Sequence, residues 1–185
     1  GKFRAVLFSP VNLSLVKDGP DYRRKFIDAA ICQLKPTFTA YIARYNQILR
    51  QRNAFLKSDN PDVDLLEVWD EKISNIGAVV LCERLKYLKF LKESCGLIYD
   101  EISQKNEQLS LKYVSTISKK IDEKITVDSV RELFIERLKK FRTSDIKSKI
   151  TSVGPHKDDM EFMINGKFVR SFGSQGQQRS VALTL

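Results

Sequence analysis

Apolar residues recur three and four positions apart through the middle of the chain. Leu66, Trp69, Ile73, Ile76 and Val80 form one stripe. After a one-residue slip, Leu81, Leu85, Leu88, Leu91, Cys95, Ile98 and Ile102 form a second. Such spacing lays one helix face against a partner, and the slip marks a change of winding or of neighbour. A single helix from residue 62 to about 103 would reach roughly 60 Å at about 1.5 Å per residue. Gly77 and Gly96 are possible bends, and two shorter helices broken at Gly96 are the alternative. Upstream, Phe38, Tyr41, Ile42, Tyr45, Ile48, Leu49, Phe55 and Leu56 also keep helical spacing, with Arg52 interrupting the stripe. Ser58-Asp59-Asn60-Pro61 separates the two runs, with Asn60 as cap and Pro61 at the first helical position. So short a turn predicts an antiparallel pair, a helical arm.

The flanking segments are shorter. Arg4–Ser9 reads as a strand closed by Pro10. Asp18-Gly19-Pro20-Asp21 breaks the chain and starts a helix with Phe26, Ile27, Ala30 and Ile31 inward and Arg23, Arg24 and Lys25 outward. Leu109–Val114 alternates as a strand. Another helix begins at Thr126-Val127-Asp128-Ser129 with Asp128 as cap. It buries Val130, Leu133, Phe134, Leu138 and Phe141 and shows Arg131, Arg137, Lys139, Lys140 and Arg142. From Thr151 the period is two. Asn165-Gly166 signals a hairpin, with Phe168–Phe172 as the return strand. The class is α+β, mainly α. A strand and loop (1–20), a helical arm (21–150) and a hairpin with a final helix start (151–185) together make one lobe.

Charge changes the picture in one respect. The net charge is +9, but residues 1–60 carry 11 basic and 4 acidic side chains, residues 61–110 carry 6 and 10, and residues 111–150 carry 11 and 6. Two basic regions around an acidic arm suit a polyanion bound through phosphates without base reading, with Arg23, Arg24, Arg137, Lys139 and Lys140 as candidate DNA contacts. A solvated helical surface has the same composition. Tyr41 beside Arg44 and Tyr45 beside Arg50 have the ingredients to stack bases, but at this spacing they read as core. Cys32, Cys82 and Cys95 are odd in number and lack Cys-x-x-Cys spacing; with one histidine, they read as reduced thiols in a cytoplasm and give no metal site. Gly1 in place of Met and a last helix only begun suggest a piece of a longer protein.

The chemistry concentrates in Phe172-Gly173-Ser174-Gln175-Gly176-Gln177-Gln178-Arg179. It opens the last helix, where unpaired N–H groups and the macrodipole favour an anion and a glycine admits close approach. Ser174-x-x-Gln177 is equally a capping box, which needs no ligand. His156, in Gly-Pro-His-Lys-Asp-Asp, has carboxylates nearby, yet no nucleophile with a base partner is apparent, so it reads as structural and no catalytic residue is assigned. Asp158 and Asp159 alone do not make a metal site. No Gly-x-x-x-x-Gly-Lys-Ser/Thr phosphate loop occurs, nor four apolar residues ending in Asp-Asp or Asp-Glu.

Ser174-x-Gly176-Gln177 at a helix start resembles the signature of ABC-type ATPases, and Gly173–Arg179 resembles the form found in the RecF family. Three more stretches resemble that family in the same order: Val6–Pro10, Gly19-Pro20 with Arg23–Asp28, and Val153–Asp159. Tyr45-Asn46 with Arg52–Lys57 is a weaker fifth, and Val11-Asn12 departs from the acidic pair usual near the start. The resemblance implies the signature-bearing lobe of an SMC-like ATPase, lying between a Walker A before it and a Walker B after it. It implies that Ser174, Gln175, Gly176 and Gln177 bind ATP held by a second subunit. ATP with Mg then acts in the full-length dimer, a weak DNA-stimulated ATPase, and the isolated lobe needs no cofactor and hydrolyses nothing. Gapped or junction DNA, RecR, a second RecF subunit and the loading of RecA recombinase are the implied partners and role. Two other classes stay open: a helical DNA- or protein-binding adapter with a purely structural cap, and the head of another SMC-like ATPase. The short arm argues against the latter.

Overall fold

A computed structural model describes residues 13–59, 61–119, 121 and 124–185. The strand expected at Arg4–Ser9 and the cap expected at Asn60 lie outside them. The order is α1 (Ser14–Lys17), α2 (Pro20–Leu34), α3 (Phe38–Leu56), α4 (Val63–Ile102), β1 (Leu109–Val114), α5 (Val127–Ser148), β2 (Asp159–Ile164), β3 (Lys167–Phe168), α6 (Val169–Phe172) and α7 (Gln175–Thr184). The architecture is α+β, mainly α.

The 40 residues of α4 form one helix, unbroken at Gly77 or Gly96. Its cap is Asp62, whose carboxylate accepts from the N–H groups of Asp64 (2.8 Å) and Leu65 (3.2 Å), so the helix starts after Pro61 rather than on it. Arg52 meets Asp70 and Tyr45 faces Gly77, pairs equally far from the intervening turn, so α3 and α4 run antiparallel. Gly77 is a site of close approach and makes no bend: a Cβ there would lie 2.6 Å from the Phe134 ring and 3.0 Å from that of Tyr45. Gly154 meets the same two rings from the other side, at φ +126°, where only glycine is at ease.

Two apolar clusters share α4. The first gathers Ile27, Ile31, Phe38, Tyr45, Ile48, Ile73, Leu81, Val130, Phe134 and Leu138 from α2, α3, α4 and α5. The second places Leu88, Leu91, Cys95 and Tyr99 of α4 against Leu109, Leu111, Phe162 and Ile164 of the sheet and Val181 of α7. The second stripe of α4 does not run to its end as expected. Ile98 and Ile102 are exposed and Tyr99 is buried instead, because α7 packs there and the exposed face belongs to solvent. In α5 the cap is Thr126, accepting from Ser129 N–H at 3.2 Å, and Asp128 lies in the first turn.

The sheet is antiparallel in the order β1-β2-β3, with Leu109 opposite Ile164 and Leu111 opposite Phe162. Asn165 (φ 49°) and Gly166 (φ 75°) make the hairpin. The return strand is only Lys167–Phe168. Val169–Phe172 turn into helix rather than extending it, because Val169 is drawn into the second cluster and the Gly173 N–H closes on the Val169 carbonyl at 3.0 Å. Among the described residues no helix is long and apolar enough to cross a membrane.

Candidate functional site

Ser174 caps α7. Its Oγ accepts from Gln177 N–H at 3.2 Å, and Gln177 Oε1 accepts from Ser174 N–H at 2.8 Å, a complete capping box. The box leaves two donors of the first turn, the N–H groups of Gln175 and Gly176, with no intrahelical partner. The Ser174 hydroxyl proton is also left to donate. Ser174, Gln175 and Gly176 are exposed, and a Cβ built on Gly176 would meet only Ser174 Oγ, at 3.8 Å. Here glycine keeps the mouth open instead of serving a backbone twist. Gln178 ties the helix back, donating to the carbonyls of Gly173 (3.1 Å) and Val169 (3.4 Å). An anion could thus meet N–H dipoles, a hydroxyl and the positive end of a ten-residue helix without displacing the cap.

The loop before β2 holds the lobe together. His156 Nε2 lies 2.9 Å from the Thr151 carbonyl and Nδ1 2.7 Å from Tyr45 Oη. A carbonyl only accepts, so Nε2 carries the proton and Nδ1 accepts from the tyrosine. Both ring nitrogens are committed to the fold. Asp158 accepts from Thr116 N–H (2.7 Å), Thr116 Oγ1 (2.8 Å) and Tyr113 (3.0 Å). Arg84 forks onto Asp28, 2.8 Å to each oxygen, and reaches the Pro155 carbonyl at 2.6 Å. These bonds tie α2, α4, β1 and the loop together. Among the described residues no three His, Cys, Asp or Glu side chains gather to hold a metal ion.

Burial pushes His156 down to about 4, against the pull of the Thr151 bond in the other direction. In the unfolded chain it titrates near 6.5. Between those values the unfolded chain takes up a proton that the native fold refuses. Stability is therefore full above about pH 6.5 and falls as pH drops toward 4, by on the order of 3 kcal/mol from this group. Asp158 acts oppositely: burial raises its carboxyl, so the native state gains that proton early and recovers part of the loss near the acid end. His156→Gln is expected to flatten the decline of the denaturant midpoint between pH 6.5 and 4.5. A decline of unchanged steepness in that variant would assign it to other groups.

The basic candidates separate by environment. Arg23 is 3% exposed, not on an outward face: it forks onto Asp159 at 2.7 and 3.0 Å and reaches the Asp18 carbonyl. Arg24 is half-buried, on the Asp158 carbonyl at 2.6 Å and on Asp21. Arg137 is half-buried on the Thr116 carbonyl at 3.1 Å and lies over the Phe141 ring. Lys139 and Lys140 are exposed on α5. Of the aromatic candidates, Tyr45 is core and Tyr41 is exposed.

No family model matches the chain. Curated proteins do. The chain is 40% identical over 189 residues to the DNA replication and repair protein RecF of Halothermothrix orenii, covering all of this chain and 50% of that protein. The RecF proteins of Streptococcus thermophilus (42% over 186 residues, 49% of the protein) and Clostridium tetani (38% over 187 residues, 50%) match over the whole chain too. Two structures of the recombination mediator protein RecF in the RecFOR pathway, RecF-ATP and RecF-ATPrS, share the fold. Each has a TM-score of 0.89 at 37% identity, over 96% of this chain and 47% of theirs. Over its whole length the chain is similar to RecF proteins. It spans about half the length of the RecF proteins it matches.

Two features of the structure carry no short-range sequence signal. Arg52 is fully buried. It lies 2.9 Å from Asp70 Oδ1 through Nε and, through Nη1, 2.9 Å from Asp145 Oδ2 and 2.8 Å from Thr151 Oγ1. Glu107, in the loop after α4, accepts from Gln177 Nε2 at 2.6 Å and from the Tyr99 hydroxyl at 2.6 Å, so it touches the turn that opens α7.

Proposed function

We propose that this chain is the signature-bearing lobe of a RecF-type, ATP-dependent, DNA-binding repair protein. In the intact protein Ser174–Gln177 meets ATP held by a second subunit, so that nucleotide binding drives dimerisation and completes the site for phosphoryl transfer to water. The observation that carries this reading is the open start of α7: two free N–H groups, a hydroxyl and an uncrowded Gly176 beside a cap that is already satisfied. Those groups suit positioning and charge stabilisation of a γ-phosphate, which is most of what phosphoryl transfer asks of a protein. Mg accompanies the ATP through groups supplied outside this chain. The chain holds no phosphate loop and turns over no ATP by itself. The ATP forms of the related RecF structures support the nucleotide, and the RecFOR pathway in which they are described supports RecR and DNA as partners, the DNA being gapped or a junction on this reading.

DNA is held through phosphates. Lys139 and Lys140 are the contacts of choice because they are exposed. Arg23, Arg24 and Arg137, already bonded within the lobe, contribute field more than contact. Lys139→Glu/Lys140→Glu in the intact protein is expected to weaken DNA binding about equally for all sequences and to lower the salt slope by roughly one to two. Fluorescence anisotropy titrations at several salt concentrations measure both. Unchanged affinity and slope would leave these lysines a solvated face.

A second reading has one observation in its favour. The capping box is complete without any ligand, as in a helical adapter whose turn is purely structural. Dimerisation with ATP, absent on that reading, separates the two.

A further inference from the structure

The capping glutamine has a second partner. Gln177 Oε1 accepts from the Ser174 N–H, and its Nε2 donates to Glu107 Oε1 at 2.6 Å. Glu107 Oε2 accepts from the Tyr99 hydroxyl at 2.6 Å, and Tyr99 is 1% exposed in the last turns of α4. An amide that donates to a carboxylate cannot rotate to offer its oxygen there, so Glu107 fixes which end of Gln177 faces Ser174.

The loop is built to hold that carboxylate still. Gln104 (φ 52°) and Lys105 (φ 61°) are consecutive non-glycine residues in the left-handed region, a conformation kept only where the surroundings enforce it. Lys105 N–H closes on the Asp100 carbonyl at 2.9 Å, and Ser103 Oγ reaches the Glu107 carbonyl at 3.3 Å. On the other side Gln108 and Asn165 exchange hydrogen bonds, Gln108 N–H to Asn165 Oδ1 at 2.9 Å and Asn165 N–H to the Gln108 carbonyl at 3.0 Å. Glu107 is thus pinned between the end of the long helix and the hairpin turn. The bonds from Tyr99 and Gln177 hold its carboxyl below the usual range, so it stays an acceptor at neutral pH.

We propose that Glu107 is a positioning residue for the signature turn: with Tyr99 and Gln177 it forms a relay that sets the Ser174 hydroxyl and the first N–H groups of α7 for the neighbouring subunit's ATP. The proposal rests on the trans reading of Ser174–Gln177. It acts by geometry, not charge. A glutamine at 107 accepts from Gln177 through its oxygen and donates to the Tyr99 oxygen through its amide, so the relay survives. An alanine breaks it at both ends.

The test uses the intact protein, with sedimentation in ATP for dimerisation, equilibrium binding of ATP to the monomer, turnover, and thermal melting in parallel. Glu107→Ala is expected to weaken ATP-dependent dimerisation and lower kcat about tenfold each, with monomer ATP affinity unchanged. Glu107→Gln is expected to behave as the parent. Because Glu107 is half-buried and belongs to neither apolar cluster, both variants should melt near the parent temperature. Glu107→Ala/Gln177→Ala is expected to be no worse than Gln177→Ala alone, since Glu107 acts through Gln177 and residues acting through one another do not add.

Ser174→Arg is the control for the underlying reading. If Ser174→Arg blocks dimerisation while Glu107→Ala dimerises and turns over normally, the relay is overturned and the signature reading stands. Glu107→Gln failing as badly as Glu107→Ala would also overturn it, since charge would then be the cause. If Ser174→Arg dimerises normally, the signature reading falls and the relay with it.

Discussion

Ser174→Arg in the intact protein is expected to abolish ATP-dependent dimerisation and turnover while each monomer still binds ATP. Ser174 is exposed at the first position of the turn, and nothing of the lobe would collide with a long side chain pointing outward. What the substitution removes from the fold is the cap, a loss of about 1 kcal/mol. What it adds at the mouth is bulk that no closed phosphate contact can accommodate. Ser174→Ala separates these effects: it carries the same loss of cap with no bulk, and should melt as low as the arginine variant while still dimerising, more weakly. Melting and sedimentation in ATP, run side by side, give the answer. A folded Ser174→Arg protein that dimerises and hydrolyses ATP like the parent would remove this turn from the nucleotide site.

The second large effect belongs to the arm. Arg52→Met is expected to destabilise the protein by about 3–5 kcal/mol, because it leaves the Asp70 and Asp145 carboxylates, 1% and 0% exposed, without the cation between them. Arg142 remains on Asp70 at 3.1 Å and Glu67 at 3.2 Å, and Asp145 keeps the Ser152 N–H and hydroxyl, so the loss is not larger. Converting the acids as well, Arg52→Met/Asp70→Leu/Asp145→Leu, should recover part of the stability, since an apolar cluster carries no charge desolvation cost while Arg142 and Ser152 lose their carboxylate partners. Denaturant unfolding of the three proteins measures this. A single variant within about 1 kcal/mol of the parent would show that water relieves the two carboxylates.

The elements legible in the sequence were those written over many turns or in one strong local motif. The 3/4 spacing of Leu66 to Cys95 defined α4, and Asn165-Gly166 defined the hairpin turn. Ser174-x-x-Gln177 announced a cap that the structure completes. Failures came where tertiary contacts decide. Arg52 breaks an apolar stripe and reads as an intrusion, yet its partners stand 18, 93 and 99 positions away, and no periodicity reports a pairing so distant. Arg23 misled for the same reason, with Asp159 136 positions on. Phe168–Phe172 alternates weakly, but Val169 is the residue drawn into the core, and the chain coils to bury it. Thr126 displaced Asp128 as cap because the chain turns helical two residues earlier. Glu107 is one acid among ten in residues 61–110, and only the fold shows it touching Gln177.

The uninterrupted α4 has a mechanical meaning. From Val63 to Tyr99 it spans roughly 50 Å at about 1.5 Å per residue. Its one tightly packed glycine, Gly77, is jammed between the Phe134 and Tyr45 rings, so that half of the rod has no joint. A displacement of the arm's far end is therefore carried toward Tyr99 by one continuous helix. A tilt of about 1° at one end moves the other by roughly 1 Å, enough to make or lose a hydrogen bond such as Tyr99–Glu107. The helix thus links the far end of the arm, through Tyr99 and Glu107, to the turn that opens α7.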